Sequence, residues 1–255
     1  MRDPLEAAVA IAREAGAVLM EHLHRPLHIE EKGRRADLVT QADRESERII
    51  VARLRAKYPN ATILGEEGGV HAGTANERWI VDPLDGTTNF AHGYPMFCVS
   101  IAYERDGELL AGAVYAPMMN ELFAVERGAG ATLNERPIAV SAISGVSAAM
   151  LCTGFKPSDY ERNARHFAKA SNHAQAVRRD GAAALDLAYV AAGRFDAFWE
   201  FDLAPWDMAA GALLVREAGG RVTALDGRTF RLEGDSILAS NGAVHDEVRS
   251  LLSAV

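Results

Sequence analysis

Trp79-Ile80-Val81-Asp82-Pro83-Leu84-Asp85-Gly86-Thr87-Thr88-Asn89-Phe90 organises the reading of the whole chain. The apolar run that opens it reads as a strand delivering Asp82 at its carboxyl end, where ligands usually sit in α/β sheets. Pro83 stiffens the backbone, and Asp85 follows three residues after Asp82. Two carboxylates this close repel each other if both are ionised and unpaired. A hard divalent cation removes that cost and takes oxygen ligands. Gly86 permits a sharp turn, and Thr87, Thr88 and Asn89 offer hydroxyl and backbone N–H groups to an anion. An isolated Asp-Gly-Thr-Thr reads as an ordinary turn with a helix cap. The full stretch is far more specific.

On the amino-terminal side, residues 3–24 read as an amphipathic helix, with Asp3 as cap, Pro4 at the first helical position and Glu6 at the capping-box spacing. Leu5, Ala8, Val9, Ala12, Gly16, Leu19, Met20 and Leu23 recur near the helical period and are expected to face the core. The charged segment 30–37, with Gly33, reads as an exposed turn, and a second helix is expected from about Asp43 to Lys57, ending before Pro59. Apolar runs at 61–64, 78–82, 97–103, 108–116 and 121–126 read as strands, the third and fourth joined by an Asp106-Gly107 turn. The first half is thus mainly antiparallel.

Beyond it the pattern alternates. Strands are expected at 147–152, 176–178, 195–200, 221–224 and 237–240, with helices at 159–172, 182–191, 207–218 and from about Ala243. That rhythm implies an α/β fold of sheets covered by helices. No linker or internal repeat separates the halves, so the expectation is one compact unit of two lobes, residues 1–142 and 143–255.

The chain has 255 residues, 49% hydrophobic and 24% charged, as expected of a globular protein with a sizeable core. No run approaches the apolar length of a membrane span, no secretory pattern opens the sequence, and only Cys98 and Cys152 occur, so a cytoplasmic protein without a disulfide framework is expected. A net charge of −8 argues against a nucleic-acid surface. It also requires that any anionic substrate be attracted through bound cations, which carboxylates collect.

The stretch 79–90 resembles the signature of the inositol monophosphatase family. So does Trp206-Asp207-Met208-Ala209-Ala210-Gly211, followed by Glu217-Ala218-Gly219-Gly220. Gly65-Glu66-Glu67, Asp37-Leu38-Val39-Thr40 with Asp43, and Gly181-Ala182-Ala183-Ala184 follow the family's order, so the resemblance spans almost the whole chain. It implies a layered α-β-α-β-α sandwich, a Mg2+-dependent phosphatase acting on a small phosphate monoester, first of all myo-inositol 1-phosphate, a homodimer, and inhibition by lithium. By resemblance Glu66, Asp82, Asp85 and Asp207 are side-chain metal ligands and the Leu84 carbonyl a backbone ligand. Thr87 and Asp43 match a dyad that orients the attacking water. Asp85, Gly86, Thr87 and Asp207 would also touch substrate, as would Gly181, Ala183 and Glu200. Lys32 and Glu67 match accessory loop positions.

Read without the family, Asp207 is an N-cap, Asp43 a first-turn charge, Glu66 and Glu67 solvated loop charges, Glu200 a strand-end charge and Lys32 a surface lysine. Trp206 reads as packing the helix start and Cys98 as a buried filler. His24 and His28 are separated by Pro26, which disfavours a helical ligand pair. Ala204 stands where animal members carry a His, which loosens the expectation of strict inositol specificity. Histidinol-phosphate phosphatase and fructose-1,6-bisphosphatase are the alternatives within the superfamily. An interaction protein that kept the fold would be expected to lose ligands, yet Asp43, Glu66, Asp82, Asp85 and Asp207 are all present. A dinucleotide enzyme lacks its Gly-x-Gly-x-x-Gly run. Asp85→Asn is expected to cripple turnover far more than it lowers stability, and near-normal phosphate release from that variant would contradict the metal assignment.

Overall fold

The strand that carries Asp82 and Asp85 sits inside a sheet covered on both faces. A computed structural model describes residues 2–23, 29–31, 38–155 and 160–253. Strands β1 (Ile29–Glu31) and β2 (Leu38–Thr40) form a small antiparallel pair between helices α1 (Arg2–Leu23) and α2 (Gln41–Lys57). An eight-stranded sheet follows, built from β3 (Thr62–Gly65), β4 (Gly69–His71), β5 (Glu77–Asp85), β6 (Cys98–Arg105), β7 (Glu108–Ala116), β8 (Glu121–Glu126), β9 (Gly130–Leu133) and β10 (Arg136–Pro137). Its order is β10-β9-β8-β7-β6-β5-β3-β4, antiparallel except where β3 runs parallel to β5. Helix α3 (Thr87–Ala91) is a single short turn after β5.

The second sheet is five-stranded, with order β12-β11-β13-β15-β14 for β11 (Met150–Thr153), β12 (Ala176–Arg178), β13 (Ala197–Phe201), β14 (Arg221–Thr223) and β15 (Ser236–Ser240). Helices α4 (Tyr160–Ser171), α5 (Ala183–Ala191), α6 (Pro205–Glu217) and α7 (His245–Ser253) complete the chain.

Side-chain alternation decides the layering. On β5, Trp79 and Val81 turn towards α1 and α2, while Ile80 turns the other way into a core shared with α5, α6 and the second sheet. On β13, Phe198 enters that same central core, and Trp199 packs with Leu238, Val248 and Leu252 beneath α7. Because both faces of each sheet are buried, the strands read as near-continuous apolar runs. The result is the expected α-β-α-β-α sandwich, with α1 and α2 outside, α5 and α6 in the middle, and α4 and α7 on the far side. No helix among the described residues is long and apolar enough to cross a membrane.

Several boundaries differ from the sequence reading for physical reasons. Asp3 lies inside the first turn of α1, and its carboxylate accepts from the Tyr58 hydroxyl at 2.7 Å, tying α1 to the end of α2. The strand expected from 147 begins only at Met150, because Val146–Ala148 form a 3-10 turn whose Val146 N–H is taken by Glu247 at 3.0 Å. The strand expected to stop at Asp82 continues to Asp85, with a register shift between those two residues against β6. Of the segment expected to be an exposed turn, Glu30 and Glu31 belong to β1, and 32–37 lie outside the described residues. His24 and His28 lie outside them too.

The middle layer is thin because its residues are small. Ala209, Ala210, Gly211 and Ala212 are all buried on α6. A Cβ on Gly211 would lie 2.5 Å from that of Leu187 on α5. Gly211→Val is expected to destabilise the protein by about 1–3 kcal/mol through overpacking, read as a lowered urea midpoint; an unchanged midpoint would contradict this close approach.

Candidate active site

Three segments bring four carboxylates to one place. β5 supplies Asp82 and Asp85, the turn after β3 supplies Glu66, and the first turn of α6 supplies Asp207. Asp82 is buried and Asp85 nearly so, while Glu66 and Asp207 are half-exposed at the opening. Burial first, and then the negative charges of Glu66, Asp85 and Asp207, hold the Asp82 carboxyl well above the usual carboxylate range. Burial followed by the charge of Asp207 pushes Asp85 up to about 8. Charges that act on one another this strongly inside a protein lie close together, and the group needs either protons or cations.

Backbone amides aim three of the four carboxylates. Leu84 N–H donates to Asp82 Oδ1 at 3.0 Å, and Ala184 N–H, at the start of α5, donates to Asp85 Oδ2 at 2.7 Å. Ala204 N–H donates to Asp207 Oδ2 at 2.8 Å, so Asp207 sits in the first turn of α6, with Ala204 rather than itself as the N-cap. Pro205 opens that helix, where its missing N–H costs nothing. Gly86, at φ 88°, caps α3 in the left-handed region, and a Cβ there would lie 2.7 Å from the Met96 carbonyl. Only glycine meets both demands.

Helix α2 holds the site from the other side. Asp43, Ser46 and Glu47 are all buried on it, at the i, i+3, i+4 spacing that places them on one face. The Thr87 hydroxyl lies 3.1 Å from Asp43 Oδ1 and 3.1 Å from the Leu84 carbonyl, so its single proton is shared between two acceptors. Ser46 donates to the Pro83 carbonyl at 2.9 Å. The Glu47 carboxylate accepts from Glu67 N–H at 2.8 Å and from Gly68 N–H at 2.5 Å, clamping the turn that presents Glu66. A Cβ on Gly65 would meet Glu47 at 2.7 Å, so glycine there lets the carboxylate lie flat against the turn.

Glu47 and Ser46 were missed in the sequence, where the second helix is expected but neither residue is singled out. Their shared face with Asp43 is the signal that could have found them. Cys98 is buried on β6 as expected, and its thiol also faces Asp85 Oδ2 at 3.7 Å. Trp206 packs against the central core, and its carbonyl accepts from the Ser100 hydroxyl at 3.3 Å.

The turn into α5 adjoins Asp85 and forms the site's second wall. Gly181, at φ 81°, and buried Ala183 flank the turn into α5. Asn89 Nδ2 donates to the Asp180 carbonyl at 2.7 Å and ties that turn to α3. Glu200 is buried on β13 and packs against Gly154 so closely that a Cβ on Gly154 would overlap its carboxylate. Glu67 is half-exposed. Lys32 lies outside the described residues.

Comparison with known proteins agrees with this architecture. The family model described as "Inositol monophosphatase family" matches residues 1–255. An inositol-1-monophosphatase of Synechocystis sp. is 44% identical over 254 residues, covering 98% of this chain and 88% of the relative. A Pseudomonas aeruginosa protein named Nus factor SuhB is 45% identical over 251 residues, covering 94% of this chain and 92% of its own. The crystal structure of extragenic suppressor protein suhB from Bartonella henselae superposes with a TM-score of 0.93 at 42% identity, covering 97% of each chain. The chain belongs to the inositol monophosphatase family and is a phosphoric monoester hydrolase acting on small phosphorylated substrates.

Proposed function

We infer that this hydrolase is a Mg2+-dependent phosphatase whose first substrate is myo-inositol 1-phosphate. The observation that carries the reading is the pair Asp82 and Asp85, buried beside Glu66 and Asp207, their pKa values raised first by burial and then by the negative charges around them. The donor set fits magnesium: carboxylates and the Leu84 carbonyl are hard oxygen ligands, and among the described residues no imidazole is placed with them. Glu66, Asp82 and Leu84 would hold one cation and Asp82, Asp85 and Asp207 another, with Asp82 shared.

When bound, such cations lower the pKa of water and stabilise negative charge on the phosphate and the leaving oxygen. The chain's own residues do the rest. Engaged with Asp43 Oδ1 and the Leu84 carbonyl, the Thr87 hydroxyl proton leaves the Oγ1 lone pairs to accept a hydrogen from water. That contact orients the water's oxygen towards phosphorus. The N–H groups after Gly86 offer themselves to the phosphate oxygens. Gly181 and Ala183 bring backbone close to the alcohol portion, and Glu200 accepts a hydrogen bond from one of its hydroxyl groups. Lys32 and Glu67 are accessory. Glu47 fixes where Glu66 points.

The same reading includes a homodimer, lithium inhibition, two lobes over 1–142 and 143–255, and residence in the cytoplasm, which suits the free buried thiols Cys98 and Cys152. A phosphate-release panel with Mg2+ tests the substrate. It compares myo-inositol 1-phosphate, glycerol 2-phosphate, histidinol phosphate, fructose 1,6-bisphosphate and adenosine 3′,5′-bisphosphate. The highest kcat/KM is expected for the inositol ester. A clear preference for histidinol phosphate would overturn that choice but not the chemistry, whereas no Mg2+-stimulated release from any ester would overturn the enzyme reading.

Acidity gives a second test. Asp85, raised to about 8 in the folded protein, keeps a proton that the unfolded chain has lost above its ordinary value. The native state therefore binds more protons, and stability falls as pH rises. His245 is lowered to about 4 by burial and opposes this slope only below its unfolded pKa. In EDTA, unfolding free energy is expected to fall between about pH 6.5 and pH 8, and Mg2+ to flatten the slope. A metal-free protein equally stable across that window would contradict the crowding of charge.

A further inference from the structure

A second cluster of acids lies behind the catalytic wall and takes no part in the chemistry above. Cys152 on β11, Asp180 in the loop before Gly181, and Asp186 in the first turn of α5 each place one donor atom within 4.8 Å of the other two. Cys152 and Asp186 are fully buried, and Asp180 is half-buried at the rim.

Asp186 is the telling member. Neither of its carboxylate oxygens has a hydrogen-bond partner. The one donor that faces it is the weak Cys152 thiol, and a buried carboxylate without a counter-charge is expensive, so it either carries a proton or meets a cation. The charges that act on it are all negative: Asp180, Asp85 and Glu200. Even a protonated Asp186 leaves an acceptor oxygen unsatisfied in this arrangement. Burial also holds the Cys152 thiol protonated, although the Asp180 N–H faces its sulfur. Two carboxylates and a sulfur with donor atoms this close are a set that a metal centre could use, and one of the two carboxylates is the unsatisfied Asp186.

We propose that Cys152 Sγ and the carboxylates of Asp180 and Asp186 form a separate site for a borderline transition-metal cation of the Zn2+ class, distinct from the catalytic magnesium cluster. Sulfur selects such a cation over Mg2+. Three protein ligands leave a fourth position for water on the Asp180 side, the usual form of an open zinc site. Binding displaces the thiol proton and any proton on Asp186 into solvent, with no change of oxidation state. The cation then ties β11 to the Asp180–Ala184 turn. That turn gives its Asp180 carbonyl to Asn89 and its Ala184 N–H to Asp85, so occupancy stiffens one wall of the catalytic centre.

Co2+ is the probe, because cobalt bound to thiolate has a charge-transfer absorption in the near ultraviolet that cobalt bound only to carboxylates lacks. The full-length protein, stripped with EDTA, is titrated with CoCl2. One thiolate band per chain is expected, bleached by equimolar Zn2+, retained in Cys98→Ser and lost in Cys152→Ser. Cys98 is the necessary control, since its thiol faces Asp85. Asp180→Asn, on the partly exposed rim, guards against a Cys152 variant that fails to fold. It is expected to weaken cobalt binding by at least the ~10-fold that loss of even an outer-shell metal partner costs. No thiolate band, a band that follows Cys98, or an Asp180→Asn affinity equal to that of the parent protein would each overturn the proposal. All three readouts are independent of phosphatase turnover, so they stand or fall apart from the magnesium reading.

Discussion

The whole structure answers one electrostatic constraint, the repulsion among carboxylates that the fold forces into a shared, poorly solvated space. Left to itself such a group would fly apart or take up protons. Here three members are held by backbone donors, Asp82 by nearby Leu84, Asp207 by nearby Ala204, and Asp85 by Ala184 from a distant segment. Glu66 is placed indirectly, through the grip of Glu47 on the turn that follows it. The stability given up to crowd the charges is available to any cation that relieves it.

That arrangement explains the layers. Asp82 and Asp85 need a strand whose end opens between two helices, and β5 lies between α2 on one face and α6 on the other. Asp207 needs α6 to run close under the sheet, and small residues on its buried face allow this. A Cβ on Gly112 of β7 would lie 3.2 Å from Ala210 of α6, so the approach is close on the sheet side as well. The second sheet then backs α5, whose amino-terminal turn supplies the N–H that fixes Asp85. Packing in the middle layer and the aim of the carboxylates are thus one property of the sequence.

Much of this was legible in the residues and some was not. The helices α1, α2, α5 and α6 stand out because long amphipathic or apolar periods are hard to mistake. The 79–90 stretch announced paired carboxylates because its spacing is dense and specific. The run past Asp82 was cut short in the reading because proline argues against a continuing strand, yet the register shift against β6 lets β5 carry Pro83 as far as Asp85. Helix α3 has five residues, too few to show a period. Strands β1 and β4 have three residues each, and β1 overlaps a charged segment that resembles a turn. Glu47 was invisible for another reason: its partners are the backbone amides of residues twenty and twenty-one positions away, and no side-chain pattern records a contact with backbone. The pairing of Thr87 with Asp43 likewise joins residues 44 apart; the family resemblance named it, and local sequence does not.

The most direct test of the account is to locate cations by anomalous diffraction from crystals grown with Mn2+ in place of Mg2+. The account predicts anomalous peaks sharing Asp82, one reached by Glu66 and the Leu84 carbonyl, the other by Asp85 and Asp207. Mn2+ found elsewhere, with those four carboxylates left without it at saturating concentration, would contradict it.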